Sequence, residues 1–475
     1  MTNARRMAED RRAAEVTLYY LQHMSDELKR VFDSPDPTVI RLPNIMFADE
    51  PSMHQTRAQV SIDYEGAKVE SELALVEAVT RPMELQLVYG RLSRLLGIQR
   101  KPHSSQPGII MRGMCSPLNS GLFLRGCKGI GKSYLMLLTA VQLLVRERSA
   151  RVVYIGDCGA WKKCGSKADR ESFIAEAFAA AFADDQNVLE LVDKWRSNSL
   201  RRTWPVSPCL LFKEIERYCR DNGLVVAVFI DKTNELAGLD YADREILALI
   251  KSIKCTRRFS VILAASDDCI ADAVNEGIRA SDLRISQPFS SSEASLFVRW
   301  KCPGVGIGPL HLKDFMNVTW RHPGELRRLC SFVLEAFKNA DNGHVSTPSA
   351  LVDDTLEHDE VISRCLERFG SMPCAEFAPK PFTTALGGFL PGLFAERVSQ
   401  SVMSVLLMRG HAHQYLVDYN YMTLSTIEGT PCFIYPSPKI AEGLVRLHCA
   451  AKGSAPDMKY HLENMRRATY QIPVQ

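Results

Sequence analysis

Two periods of apolar spacing alternate through the middle of the chain. Short continuous apolar runs, residues 121–125, 151–157, 224–231 and 259–266, each end in a polar residue. Runs of this length read as buried strands. The segments between them carry apolar residues three and four apart, as in the amphipathic stretch 133–145, and read as helices. Strand and helix in alternation from about 109 to 290 predict an α/β fold, with a parallel sheet covered by helices. Ligands bind such sheets at the carboxyl ends of the strands. Asp157, Asp231 and Ser266 are therefore expected on one edge, together with the loop that follows Arg125.

On either side of this core the helical period dominates. Residues 1 to about 33 carry Leu18, Leu21, Met24, Leu28 and Val31 along one side of a charged helix, a stripe that either packs on its own protein or binds a partner. A polar, proline-bearing stretch runs to about Glu65. Residues 70–96 read as a further helix closed by Gly97, and 101–108 as a linker. After Pro288, a capping pattern opens a helix at 291–300, and 310–336 reads as two helices broken at Pro323-Gly324, together a helical lid over about 291–350. Beyond it come a helical stretch at 393–408, a hairpin of 415–425 against 431–435 turning at Glu428-Gly429, and a helix at 438–451. That order suits a winged-helix-like module. The domains expected are a helical N-terminal region (1–100), the α/β core (101–290), the lid (291–350) and the C-terminal module (351–475).

Composition narrows the class. At 475 residues, 46% of them apolar, the chain can supply more than one core. A formal net charge of +3 is too mild to argue for nucleic acid or membrane. Fourteen cysteines are scattered singly with no CxxC pair; Cys158 and Cys164 are closest, six positions apart, so reduced thiols are expected rather than disulfides or zinc. His411 and His413 have no acidic or cysteine partner nearby and read as surface residues. The apolar runs are too short to cross a bilayer, and the start lacks the apolar segment of a secretory signal. Its arginines leave a mitochondrial start peptide as an alternative to cytoplasm or nucleus.

The strand 121–125 runs straight into Gly126-Cys-Lys-Gly-Ile-Gly-Lys-Ser133, the form G-x-x-x-x-G-K-S of a nucleotide phosphate cradle. Gly126, Gly129 and Gly131 allow tight turns that aim backbone N–H groups at phosphate. Lys132 is expected on the β- and γ-phosphates, Ser133 on Mg²⁺, and the following helix points its positive end at the anion. The fold class expected is thus a P-loop NTPase core with lid and winged-helix-like module, binding ATP or GTP with Mg²⁺. Asp231 is the expected second carboxylate on the metal. The next residue is Lys232, where many related ATPases place a glutamate to polarise water, so Asn234 or Glu235 is the candidate base and hydrolysis is expected to be slow or absent. Ser266 reads either as a γ-phosphate sensor or as a helix cap beside Asp267 and Asp268. Asp157 touches the metal or caps its own turn. In residues 320–329, Arg327 and Arg328 form a solvated face or one of them reaches the nucleotide. Arg257, Arg258, Arg279 and Arg284 are candidates for a finger into a neighbouring subunit, should the protein form an oligomer.

Residues 124–133, 152–158, 228–235 and 322–329 together resemble the P-loop ATPase module of the retrotransposon hot spot and Crinkler-type proteins, over about 110–450. Asp231, Lys232 and Asn234 match that family's strand-end pattern of Asp, a residue other than Glu, and then Asn. The resemblance implies an AAA+- or STAND-like ATPase or nucleotide switch acting on a macromolecular partner, a protein or a nucleic acid. Members often carry a nuclease domain after this module. The chain stops soon after Ala451, and nuclease activity is not expected. The sequence is also similar to the GTP-binding, death-associated protein of the mitochondrial ribosomal small subunit, which implies a structural role instead.

Overall fold

The computed structural model describes residues 3–45, 55–64, 67–98, 121–201, 208–236, 240–266, 274–275, 278–341, 358–371, 398–399, 423–427 and 430–434. It divides into two compact units: Met1–Arg125 with Lys132–Ile285, and Gly126–Gly131 with Ser286–Gln475.

The first unit holds a five-stranded parallel sheet. Its strands are β4 (Gly121–Arg125), β5 (Ala150–Ile155), β6 (Val225–Ile230), β7 (Phe259–Ala265) and β8 (Ser281–Arg284), in the order β5-β6-β7-β4-β8. Every residue of β4 and β7 is buried, as expected for strands covered on both faces. The four strands read from the sequence are present, and β8 adds a fifth. It is short, lies at the edge and exposes two of its four residues, so it lacks the apolar run that marks the others.

Around the sheet lie α4 (Lys132–Arg146), α5 (Cys158–Lys162), α6 (Lys167–Ala181), α7 (Gln186–Arg201), α8 (Pro208–Asp221) and α9 (Tyr241–Lys254). The Phe178 ring of α6 packs at a tilt against Phe212 of α8, centroids 5.2 Å apart, and against Phe259 of β7, 5.4 Å apart, fixing one helical layer to the sheet. Helix α4 is not amphipathic as its spacing suggested. Leu135–Leu138, Val141 and Leu143 are buried all round, and so are Thr139 and Gln142. A helix apolar on every side must be covered on every side. The N-terminal residues do this: α2 (Ser25–Asp33) and α3 (Pro82–Leu95) pack on α4, and α1 (Asn3–His23) packs on α6. Leu21, Leu28 and Phe32 are buried there. Arg11 forms a bidentate pair with Asp193 at 2.8 and 3.1 Å, and Arg146 bonds Asp33 at 2.6 Å. The apolar stripe of the first 33 residues thus faces its own protein, on two helices that break at Met24.

Residues 70–79, expected to be helical, form a strand instead. β1 (Val39–Pro43), β2 (Gln55–Tyr64) and β3 (Ala67–Val79) make an antiparallel sheet in the order β1-β3-β2. The Glu, Ala and Leu content of 70–79 favours a helix locally, but β3 is paired on both sides, from Val39↔Val79 to Tyr64↔Ala67, and cross-strand pairing overrides propensity. Only 82–95 of the expected helix is helical, opened by Pro82.

The second unit contains α10 (Ser291–Lys301), α11 (Pro309–Thr319), α12 (Pro323–Asp341) and α13 (His358–Ser371), which pack on one another. The break between α11 and α12 falls at the expected Pro323-Gly324, and Ser290 with Glu293 forms the expected capping box. A second antiparallel sheet has the order β10-β11-β9, from β9 (Val398–Ser399), β10 (Thr423–Ile427) and β11 (Thr430–Ile434). Ile427 pairs with Thr430 as the last pair of the β10–β11 hairpin, and the expected turn residues Glu428 and Gly429 lie outside the described residues. Val398–Ser399, inside the stretch 393–408 expected to be helical, is instead a strand held by antiparallel pairing to β11, while the rest of that stretch, the expected helix at 438–451 and the linker at 101–108 lie outside the described residues.

Candidate functional site

The glycine-rich loop joins β4 directly to α4, and its conformation explains its composition. Gly126, Gly129 and Gly131 have φ of +151°, +84° and +97°, values that side chains disfavour. Within the second unit the loop sits on the start of α12. The Gly129 carbonyl accepts the Gly324 N–H at 2.9 Å. A Cβ on Gly324 would lie 3.0 Å from the Gly129 Cα, and one on Gly129 would lie 2.8 Å from His322 Cε1, so both glycines are required by close approach as well. His322 is fully buried: its Nδ1 accepts the Glu325 N–H at 3.4 Å and its Nε2 lies 3.5 Å from Cys127 Sγ. The tautomer that donates from Nε2 to the sulfur while accepting at Nδ1 satisfies both contacts. Ahead of this histidine, Trp320 and Arg321 are both left-handed, at φ +51° and +61°, and the Arg321 carbonyl accepts the Phe289 N–H at 3.0 Å.

In the first unit, the carboxyl ends of β7, β6 and β5 carry Ser266, Asp231 and Asp157 side by side. Lys132, only 6% exposed at the first position of α4, donates from Nζ to Ser266 Oγ at 3.2 Å, so the sheet edge brings these two predicted residues together. Ser133 follows on the same turn, half-buried, its carbonyl accepting from the Tyr154 hydroxyl at 3.5 Å. Asp231 is buried and fixed by three backbone links. Its N–H donates to the Ile155 carbonyl at 2.9 Å, its carbonyl accepts from Cys158 at 3.3 Å, and Oδ1 accepts the Lys232 N–H at 2.8 Å. Asp157 caps α5, Oδ1 accepting from Gly159 at 2.8 Å and Ala160 at 3.3 Å, which is the local role weighed for it. The Ser133 hydroxyl and the Asp231 carboxylate are hard oxygen donors of the kind Mg²⁺ takes, and both lie in this unit.

Lys232 is left-handed, φ +56°, and its Nζ lies 4.0 Å from Asp157 Oδ2. Asn234 and Glu235 belong to a single 3-10 turn, Thr233–Leu236. Glu235 is exposed and its Cγ packs against Gly159, toward β5, while Asn234 Nδ2 donates to Glu235 Oε1 at 3.5 Å. Two residues the sequence reading did not single out hold this turn. The Thr233 hydroxyl donates to the Ala264 carbonyl of β7 at 2.9 Å, and Lys162 Nζ donates to the Glu235 carbonyl at 3.2 Å while pairing with Asp243 at 2.8 Å and Asp240 at 3.1 Å. Partial burial works against the Lys162 ammonium, but the bonds to Asp243 and Asp240 outweigh it and raise its pKa. The buried Cys158 thiol is pushed far up by burial and then by neighbouring carboxylates, and stays protonated.

Arg327 is exposed on α12, three residues beyond Gly324, and Arg328 is half-buried beside it. Arg257, Arg279 and Arg284 are exposed and Arg258 half-buried in the first unit, where nothing selects one as a finger. Asp267, Asp268, His411 and His413 lie outside the described residues. The sequence carries one signal for the buried His322–Cys127 contact, a histidine directly before Pro-Gly at a helix start.

A parallel sheet, a glycine loop between its β4 strand and α4, and an aspartate closing β6 define a P-loop NTPase core. No family model matches the sequence, and no curated protein does. Among solved structures, the chain is similar to a Walker-type ATPase of Pyrococcus abyssi, with 14% identity over 69% of this chain and 91% of that one, at a TM-score of 0.39. It is also similar to the Aeropyrum pernix ORC2 protein in its ADPNP–ADP complexes, with 13% identity over 82% and 95% and a TM-score of 0.40. Cdc6p from Pyrobaculum aerophilum follows, with 14% identity over 81% and 96% and a TM-score of 0.34. Among the described residues no helix is long and apolar enough to cross a membrane.

Proposed function

We propose that this protein binds a nucleoside triphosphate, ATP or GTP, with Mg²⁺, as an AAA+- or STAND-like nucleotide switch that controls contact with a macromolecular partner. The observation that carries the reading is the loop itself. Three glycines in positive φ lead into a helix whose first residue is the buried Lys132, placed on Ser266 at the end of β7. A helix N-terminus behind a glycine loop is an anion site, and a buried ammonium there suits phosphate. Ser133 and Asp231 would hold the metal, which supplies charge neutralisation at the phosphates; this chain's own residues bind and orient. The loop reads phosphates only and leaves the base open.

Hydrolysis is slow in this reading. The position after Asp231 carries a lysine, and Glu235 leans on Gly159. Steady-state turnover should stay below about 0.1 per second, under the ordinary enzyme range. Fast turnover that survives both Asn234→Ala and Glu235→Ala would contradict this part of the reading. The partner-facing elements are α12, whose Gly324 meets Gly129, with Arg327 exposed beside it, and the C-terminal module. The hairpin β10–β11 with β9 supports a winged-helix-like form for that module.

A further inference from the structure

The turn after β6 presents a lysine where the chain has no conformational reason to have one. Lys232 adopts φ +56°, a region natural for glycine or asparagine and disfavoured for a residue with a long side chain. Such outliers persist where their surroundings over-determine them, and they cluster at ligand clamps and switches. Here the surroundings do so four times over. The Lys232 N–H bonds Asp231 Oδ1, its carbonyl accepts the Glu235 N–H at 3.0 Å, Thr233 bonds Ala264, and Lys162 bonds the Glu235 carbonyl. The backbone is therefore rigid, and what the left-handed residue determines is where its four-carbon stem starts.

That stem starts at the carboxyl end of β6, the second strand of the sheet. β6 lies between β5, which ends at Asp157, and β7, which ends at Ser266 with Lys132 bonded to it. Neighbouring strands are about 4.8 Å apart, so a lysine stem reaches to either side. In this structure the Lys232 ammonium rests toward Asp157, at 4.0 Å, with the two side chains 28% and 27% exposed. A solvent-screened pair of this kind is worth at most about fivefold in an equilibrium. A charge-assisted bond to a phosphate oxygen is worth roughly tenfold to a hundredfold, so a phosphate within reach takes the cation from the carboxylate.

We propose that Lys232 is a second cation of the nucleotide site, parked on Asp157 when the site is empty and transferred to the terminal phosphate when a triphosphate binds. This rests on the nucleotide reading above and adds to it a residue that distinguishes triphosphate from diphosphate. Lys232, Asp157, Ser266 and Lys132 lie in one compact unit. The position that lacks the water-polarising glutamate then serves to recognise the γ-phosphate.

The test is calorimetric titration of the full chain with Mg·ATP and Mg·ADP, and with the guanine pair if ATP does not bind. Lys232→Gln keeps most of the stem and removes the charge. It should weaken triphosphate binding about tenfold and change diphosphate binding less than about twofold, and Lys232→Arg should restore the difference. Asp157→Asn keeps the helix cap, since asparagine caps as well as aspartate, but releases the parked cation, so triphosphate binding should tighten about threefold. In Lys232→Gln the second change should then do nothing, because the pair acts as one unit. A triphosphate-to-diphosphate ratio unaffected by Lys232→Gln overturns the inference while leaving nucleotide binding intact. If the unaltered protein binds no nucleotide at all, the nucleotide reading fails and this inference with it.

Discussion

Lys162 ties together three oxygens of the segment that follows β6: the Glu235 carbonyl, Asp240 and Asp243. Through them it holds the turn on which Lys232 stands, so the electrostatics of an exposed helix start reach the candidate site. Asp240 has its pKa lowered first by the Asp243 N–H and then by Lys162. A carboxylate with a depressed folded pKa adds stability above its unfolded value, near 4, and loses it as pH falls through the folded value. Asp240→Asn keeps the cap and removes the charge. Its unfolding midpoint should fall below that of the unaltered protein at pH 7, and the gap should close as pH is lowered past the unfolded value and through the depressed folded one. A gap that stays constant or widens on acidification would show that Lys162 draws nothing from Asp240.

Among the elements, the contact of greatest consequence is the one between the glycine loop and the start of α12. Gly324 donates to the Gly129 carbonyl, and His322 fills the space a side chain on Gly129 would need. Gly324→Ala puts a methyl 3.0 Å from the Gly129 Cα and 3.2 Å from its carbonyl oxygen, both backbone atoms that cannot swing aside. Overpacking of this kind costs about 1–3 kcal/mol. Because the displaced element is the loop, nucleotide affinity should fall along with the thermal midpoint. Unchanged affinity in a destabilised variant would mean that the loop keeps its form without α12. The sequence predicted this break at Pro323-Gly324 but not its purpose, since a close approach between residues nearly 200 positions apart leaves no periodic trace. The strand β3 was hidden for a related reason. Its composition favours a helix, and its partners β1 and β2 lie outside any local window.

Over the whole molecule, the readable parts were those fixed by local pattern. The four apolar strands, the loop and the polar strand ends fall where their spacing put them, because a strand buried on both faces needs an apolar run and a phosphate loop needs its glycines. What the spacing missed was the layer outside α4. That helix is apolar on all sides, and α2 and α3 exist in this fold to cover it, so the N-terminal residues belong to the first unit rather than beside it.

Whether Gly126 to Ser133 cradles a nucleoside triphosphate with Mg²⁺ is decided by equilibrium titration of the full chain with fluorescent ATP and GTP, with and without Mg²⁺, for the unaltered protein and for Lys132→Ala. Binding of at least one of the two should be saturable with Mg²⁺ present and weaken by about tenfold or more when the buried ammonium is removed. Absence of binding by the unaltered protein, or equal binding by Lys132→Ala at unchanged folding, would contradict the nucleotide reading.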